Sequence, residues 1–303
     1  MTTDRRYSLY VLVSAIASAA GVITTEILLR FHALPALDIV VPANIVGGLF
    51  LLLVSAAQST GGWRRWPLAD WLRLLAAAAA TYALAFLFLY EAIGQIGASK
   101  VALLGRLEVV FIVGLAVIFL GERWTLRHWI ASGLALAGAA LVNFDPGALD
   151  LQIRQGEMLS VLAAFSFSVG IIILKSLVDR QDGQLVTGFG LLLGAALLTP
   201  FALHNPMAFE ALRDAGWWAV LSLVLRGLLL GIAWVTYNVA MKHLGASRCT
   251  VMFLSIVVFT VAMQLALHAV APGLGLQVPG NLVTALIGGA IIGVAVFLLQ
   301  RQE

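Results

Sequence analysis

Apolar blocks of about twenty residues, parted by short polar stretches, run the whole length of the chain. They fall at 8–29, 36–57, 71–93, 98–120, 125–143, 156–177, 184–203, 216–241, 247–270 and 280–299. At 1.5 Å of rise per residue, each is long enough to cross a hydrocarbon layer of about 30 Å as a helix. The separators "STGGWRRWPLAD", "GERWTLRH", "NFDPGALDLQIRQGE" and "DRQDGQ" are rich in glycine, proline or charge, as turns require. None is long enough to fold as a second, soluble domain. The pattern therefore predicts an all-α polytopic membrane protein with ten transmembrane helices. The first block is too long, and lacks a small-residue cleavage site, to be a removable signal peptide.

Composition supports a lipid environment, since 61% of the 303 residues are hydrophobic and only 11% are charged. The single cysteine, Cys249, excludes an intramolecular disulfide and any multi-cysteine metal site. His32, His128, His204, His243 and His268 lack the paired spacing of a zinc site, so no metal or cofactor is expected. The net charge of +3 comes from basic residues dispersed among the separators, with no cluster of the kind that binds nucleic acid. Membrane topology explains them better. With the amino terminus inside, Arg5, Arg6, Arg64, Arg65, Arg73, Arg123, Arg127, Lys175, Arg180, Lys242, Arg248 and Arg301 lie on the cytoplasmic side. Only Arg30, Lys100, Arg154 and Arg213 lie opposite, so the positive-inside rule places both termini in the cytoplasm.

A weak duplication divides the chain. "AIGQIGASK" at 92–100 returns as "AMKHLGASR" at 240–248, between spans 3 and 4 and between spans 8 and 9. A fainter echo sets "GVITTEILL" from Gly21 against "GIIILKSLV" from Gly170. Five spans per half is an odd number, so the second half, 151–303, runs through the membrane upside down relative to the first, 1–150. Inverted repeats are the signature of secondary transporters, in which two similar halves exchange inward-facing and outward-facing shapes. Gly97 and Gly245, in the two repeat turns, are placed as hinges for that exchange.

Around these residues, "LYEAIGQIGASKVALLGRLEVVFIVGLAVIFLGE" at 89–122, followed by "WIASGLALAGAALV" at 129–142, resembles the EamA type of the drug/metabolite transporter superfamily. The resemblance implies a ten-helix, inverted-repeat carrier of the bacterial inner membrane that exports amino acids or other small metabolites. It is carried by a small-residue turn and by a span ending in Leu120, Gly121 and Glu122. The chain departs from the pattern at Glu108, where family members often carry a proline, and in the second half, which lacks Leu-Gly-Glu.

Three charges fall near the middle of spans: Arg106, Glu108 and Arg226. Charges in lipid are costly and usually face the bundle interior, where they pair. Arg106 and Glu108 lie about 200° apart on a helix, so they do not share a face. Arg226 has the sign and depth to meet Glu108. One reading is a structural ion pair joining spans 4 and 8. The other places these groups along a transport path, with an arginine holding a substrate carboxylate and Glu108 attracting an ammonium group or carrying a coupling proton. Glu26 and Glu91 lie near span ends, where water can reach them.

Tyr82, Trp234 and Tyr237 are the aromatic candidates for a cavity around an apolar substrate group, with Ser166 among the mid-depth polar residues. Such polar residues also form hydrogen bonds between helices, and for any one of them that role is the better account. Trp63, Trp66, Trp71, Trp124, Trp129, Trp217 and Trp218 sit at span ends as an aromatic belt. No G-x-x-x-x-G-K-[ST] loop is present, so the chain is not its own ATPase. The expected function is alternating-access export of small metabolites, with amino acids bearing apolar or aromatic side chains as substrates. Efflux of lipophilic cations is the alternative within the class. A membrane scaffold or an intramembrane enzyme is the alternative outside it, and no nucleophile and base at matching depth favour the enzyme.

Overall fold

The computed structural model describes residues 3–58, 66–105, 107–121, 125–142, 155–204, 210–274, 276 and 282–300. Among them every regular element is helical: α1 Thr3–Arg30, α2 Ala36–Ala57, α3 Leu68–Ala77, a π-helical segment Ala78–Ala85, and α4 Phe86–Gly105. Then come α5 Leu107–Leu115, a second π segment Ala116–Leu120, α6 Leu126–Val142, α7 Gln155–Val178, α8 Gly183–His204 and the short α9 Glu210–Asp214. The chain continues through α10 Gly216–Leu244, α11 Ala246–Phe253, α12 Ile256–Val270 and α13 Leu282–Gln300.

Helix ends fall where local chemistry sets them. Pro35 and Pro67 hold extended backbone immediately before α2 and α3, where a residue without an N–H costs nothing. Asp182 caps α8, its carboxylate accepting from the Leu185 N–H at 2.8 Å. Gly121, at φ 64°, ends the Ala116–Leu120 segment in the left-handed conformation that glycine adopts without strain. This gives the Leu-Gly-Glu motif a local role as a helix stop. Gly245, at φ 83° and ψ 160°, separates α10 from α11.

The two copies of the Gly-Ala-Ser repeat differ. The expected turn at Gly97 is absent, because α4 runs through it to Gly105. Nothing in Gly-Ala-Ser-Lys forbids a helix, since a lone glycine costs only about 1 kcal/mol there. Neighbouring structure therefore decides which copy breaks.

Seven helical stretches among the described residues are long and apolar enough to cross a membrane: Arg5–Arg30, Ala36–Ala57, Leu68–Gln95, Gln155–Val178, Gly183–His204, Gly216–Leu244 and Arg248–Val270. Exposed Leu53, Ile118, Phe119 and Phe201 suit a hydrocarbon surrounding rather than water. In the interior, α1 packs on α10 and α12, whereas α7 packs on α4 and α5. Likewise α2 packs on α10, the segment Ala78–Ala85 packs on α8, α2 meets α8, and α6 meets α13. Glycines permit the closest approaches. Gly190 and Gly194 of α8 straddle Tyr82, where an added Cβ would lie 2.6 Å from the side chain at each position. Gly227 and Gly231 of α10 admit Val46 and Phe50 of α2.

Candidate functional site

Aromatic side chains form a continuous interior series. Tyr90 and Phe86 of α4 stack at 6.1 Å, and Phe86 meets Tyr82 edge-on at 6.2 Å. Tyr82 packs edge-to-face on Trp234 of α10 at 5.3 Å, and Trp234 on Tyr237 at 5.7 Å. Phe167 of α7 and Phe253 of α11 flank Trp234 and Tyr237. The three aromatic residues expected at a cavity are therefore neighbours, and all are buried. The Tyr237 hydroxyl lies 3.1 Å from that of Thr250.

The backbone beneath Tyr82 is irregular, as π-helical turns at functional sites often are. Two carbonyls of the segment Ala78–Ala85 take donors from other helices. Asn44 of α2 donates from Nδ2 to the Tyr82 carbonyl, and Ser166 of α7 donates to that of Ala80, each at 2.9 Å. Ser166 thus acts in helix joining. Gly170, one turn along α7, lets that helix lie directly against Thr81.

At one end of the aromatic series lies Arg226, which is only 7% exposed. Its Nε donates to the Thr25 hydroxyl of α1 at 2.7 Å and its Nη2 to the Tyr90 hydroxyl at 2.8 Å. The guanidinium lies against Gly21, where a side chain would crowd it. Both partners are neutral, and Arg226 has no acidic partner among the described residues. The ion pair with Glu108 does not form. Arg226 looks toward α1 and α4, whereas Glu108 sits on α5, which packs on α7 and α11. Glu108 is half-buried, and its backbone carbonyl accepts from Ser168 of α7 at 3.3 Å. Arg106 lies outside the described residues.

Glu91 is exposed as expected, but Glu26 is not, for its side chain has no exposure to solvent. Gln264 of α12 donates to Glu26 at 3.1 Å, and Arg30 approaches it at 3.7 Å. Position near a helix end suggested hydration, but α12 covers that face of α1. Adjacent residues of one helix thus serve two neighbours, Thr25 holding Arg226 of α10 and Glu26 engaging α12. Trp66 also departs from expectation. It is buried against Trp71 and Phe189, whereas Trp129, Trp217 and Trp218 are exposed. Trp63 and Trp124 lie outside the described residues.

A second polar group joins the first half to the second near the start of α8. Gln181 donates to the buried carboxylate of Asp70 at 2.9 Å, and Ser55 meets Asp182 at 3.5 Å. Neither contact was foreseen, because each joins helices distant in sequence.

Apolar helices enclosing aromatic side chains and a buried cation define a multi-pass membrane protein. Comparison with known proteins specifies the class. Residues 5–144 and 154–300 match the EamA-like transporter family, and the chain belongs to it. It is a transporter and not an enzyme. The "probable terminal-alkyne amino-acid exporter" of Streptantibioticus cattleyicolor is 28% identical over 210 residues, covering 69% of this chain and 66% of that protein, just under two thirds. The "uncharacterized transporter in cobO 3'region" of Sinorhizobium sp. is 32% identical over 105 residues, covering 33% of this chain and 74% of that protein. A crystal structure of another protein, 18% identical, matches the fold with a TM-score of 0.74 over 95% of this chain and 94% of the other.

Proposed function

We propose that this transporter exports small carboxylate-bearing metabolites, in particular amino acids with apolar or aromatic side chains, across a bacterial inner membrane by alternating access. The observation that carries the reading is Arg226, a buried cation oriented by two neutral hydroxyls. A charge in a membrane interior ordinarily acquires a counter-ion. Here the substrate carboxylate supplies it. Tyr82, Trp234 and Tyr237 would then border the apolar part of the substrate. The relative named as an amino-acid exporter favours the same class.

In this reading ten spans form two inverted halves, 1–150 and 151–303, with both termini in the cytoplasm. Exchange of the halves preserves the helix pairing, which supports the inversion: α1 on α10 and α12 corresponds to α7 on α4 and α5. Gly21 and Gly170, the fainter echo, each sit where the first helix of one half crosses the third of the other. Gly245 is the hinge, being a break between helices with positive φ.

Uptake of a labelled amino-acid panel into proteoliposomes tests the reading, with wild type beside Arg226→Gln and Glu108→Gln. Saturable uptake of apolar or aromatic amino acids, lost in folded Arg226→Gln, is the expected result. Uptake of a lipophilic cation in place of amino acids would overturn it in favour of cation efflux.

A further inference from the structure

Two buried carboxamides beside the aromatic series are held in one sense. Asn238 of α10 donates from Nδ2 to the Gly183 carbonyl at 2.9 Å and to the Thr187 hydroxyl at 2.6 Å. Asn44 donates from Nδ2 to the Tyr82 carbonyl. A backbone carbonyl only accepts, so neither amide can turn over without placing oxygen against oxygen. Both amides consequently present Oδ1, and in each residue that oxygen is buried with no hydrogen-bond partner.

Two hydroxyls share the condition. Thr81 Oγ1 and the Tyr82 hydroxyl are buried without a partner. The Tyr82 hydroxyl and the Asn238 carboxamide both lie at Thr187, whose hydroxyl accepts from Asn238. Tyr82 and Asn238 are 0% and 2% exposed. Buried polar groups are nearly always satisfied, and leaving one unmet costs about 1–3 kcal/mol. Asn238 Oδ1 and the Tyr82 hydroxyl, which belong to side chains that meet at Thr187, are therefore a pair of buried oxygens in need of a ligand.

We propose that Tyr82 and Asn238 form an amine-binding subsite, distinct from the carboxylate position at Arg226. The chemistry is one-sided. The amides offer acceptors only, no formal negative charge is required, and the ring of Trp234 stands 5.3 Å from that of Tyr82. Neutral acceptors beside aromatic rings suit an ammonium group, which carries donors only and is attracted to ring faces. Arg226 and Asn238 are three turns apart on α10, about 18 Å along the axis. That exceeds the spacing of the two charges in an amino acid, so one substrate occupies the two positions in turn.

This subsite rests on the transport reading only in assuming that substrate passes between α10 and its neighbours. Calorimetric titration of the detergent-solubilised full chain with phenethylamine, phenylalanine and 3-phenylpropionate separates the two. Wild type is expected to bind phenethylamine, and Tyr82→Phe to weaken that binding about tenfold or more, as loss of a hydrogen bond to a charged group does. Binding of 3-phenylpropionate should be lost in Arg226→Gln and weakened by Tyr82→Phe far less than that of phenethylamine. The thermal midpoint of Tyr82→Phe should stay near that of wild type, so that a loss of phenethylamine binding is not a loss of fold. Equal phenethylamine affinity in wild type and Tyr82→Phe, or none in wild type, overturns the subsite. Failure of amino-acid transport alone would overturn the substrate assignment and leave this titration decisive.

Discussion

Arg226 on α10 and Tyr90 on α4 meet through a hydrogen bond of 2.8 Å, joining the two helices at a buried cation. Thr25 of α1 holds the same guanidinium from another side. Two fixed acceptors leave the cation pointing in one direction, which is what recognition of a carboxylate needs.

Removing that charge should abolish carboxylate recognition without unfolding the chain. Arg226→Gln keeps a hydrogen-bonding head at the level of Nε, so Thr25 retains a partner while no buried charge is left behind. Initial uptake in proteoliposomes should fall at least a hundredfold, with the elution profile of the purified variant unchanged. Arg226→Lys should recover only part of the activity, because an ammonium cannot engage both hydroxyls in the planar geometry of a guanidinium.

Tyr90→Phe tests orientation separately from charge. The variant leaves Nη2 of a buried guanidinium without its acceptor, which should lower stability by about 1–3 kcal/mol. The Michaelis constant for a carboxylate substrate should rise several-fold, and the maximal rate should change less. A large fall in maximal rate at unchanged Michaelis constant would contradict the positioning role.

Sequence pattern located the seven long apolar helices found among the described residues, because span length and turn residues are local quantities. It also found Arg226, Tyr82, Trp234 and Tyr237, since a charge or an aromatic residue in mid-span is conspicuous wherever it lies. Partners were not legible. Whether Arg226 meets Glu108 or Thr25 depends on the rotation of α10 against α1, which no local signal records. Burial of Glu26 depends likewise on where α12 lies. The most instructive case is the repeat itself, where nearly the same Gly-Ala-Ser stretch stays helical at Gly97 and breaks at Gly245. Tertiary context outweighs about 1 kcal/mol of glycine propensity in either direction.

Glycine substitutions divide by surroundings. Gly194→Ala places a Cβ 2.6 Å from the Tyr82 Cβ and 3.0 Å from its backbone carbon, contacts that cannot relax by side-chain rotation alone. The expected loss is about 1–3 kcal/mol, the usual cost of overpacking. Gly293 of α13 has no such neighbour within 4 Å, so Gly293→Ala should be neutral or stabilising by up to about 1 kcal/mol. Thermal unfolding of both variants in one detergent checks the contrast, and equal midpoints would refute it.

Gly245 and Gly97 should now behave differently as hinges. At φ 83° and ψ 160° the backbone of Gly245 is one that an L residue adopts only with strain, so Gly245→Ala must distort the joint between α10 and α11. If that joint flexes during alternating access, Gly245→Ala should slow exchange across proteoliposomes by about tenfold while substrate affinity in detergent stays within twofold of wild type, as expected for a change in conformational equilibrium or barrier rather than in contacts. Gly97→Ala, within the continuous helix α4, should leave both quantities near wild type. Equal slowing by the two substitutions would restore a symmetric pair of hinges, and a loss of affinity at Gly245 would assign it to the binding site instead.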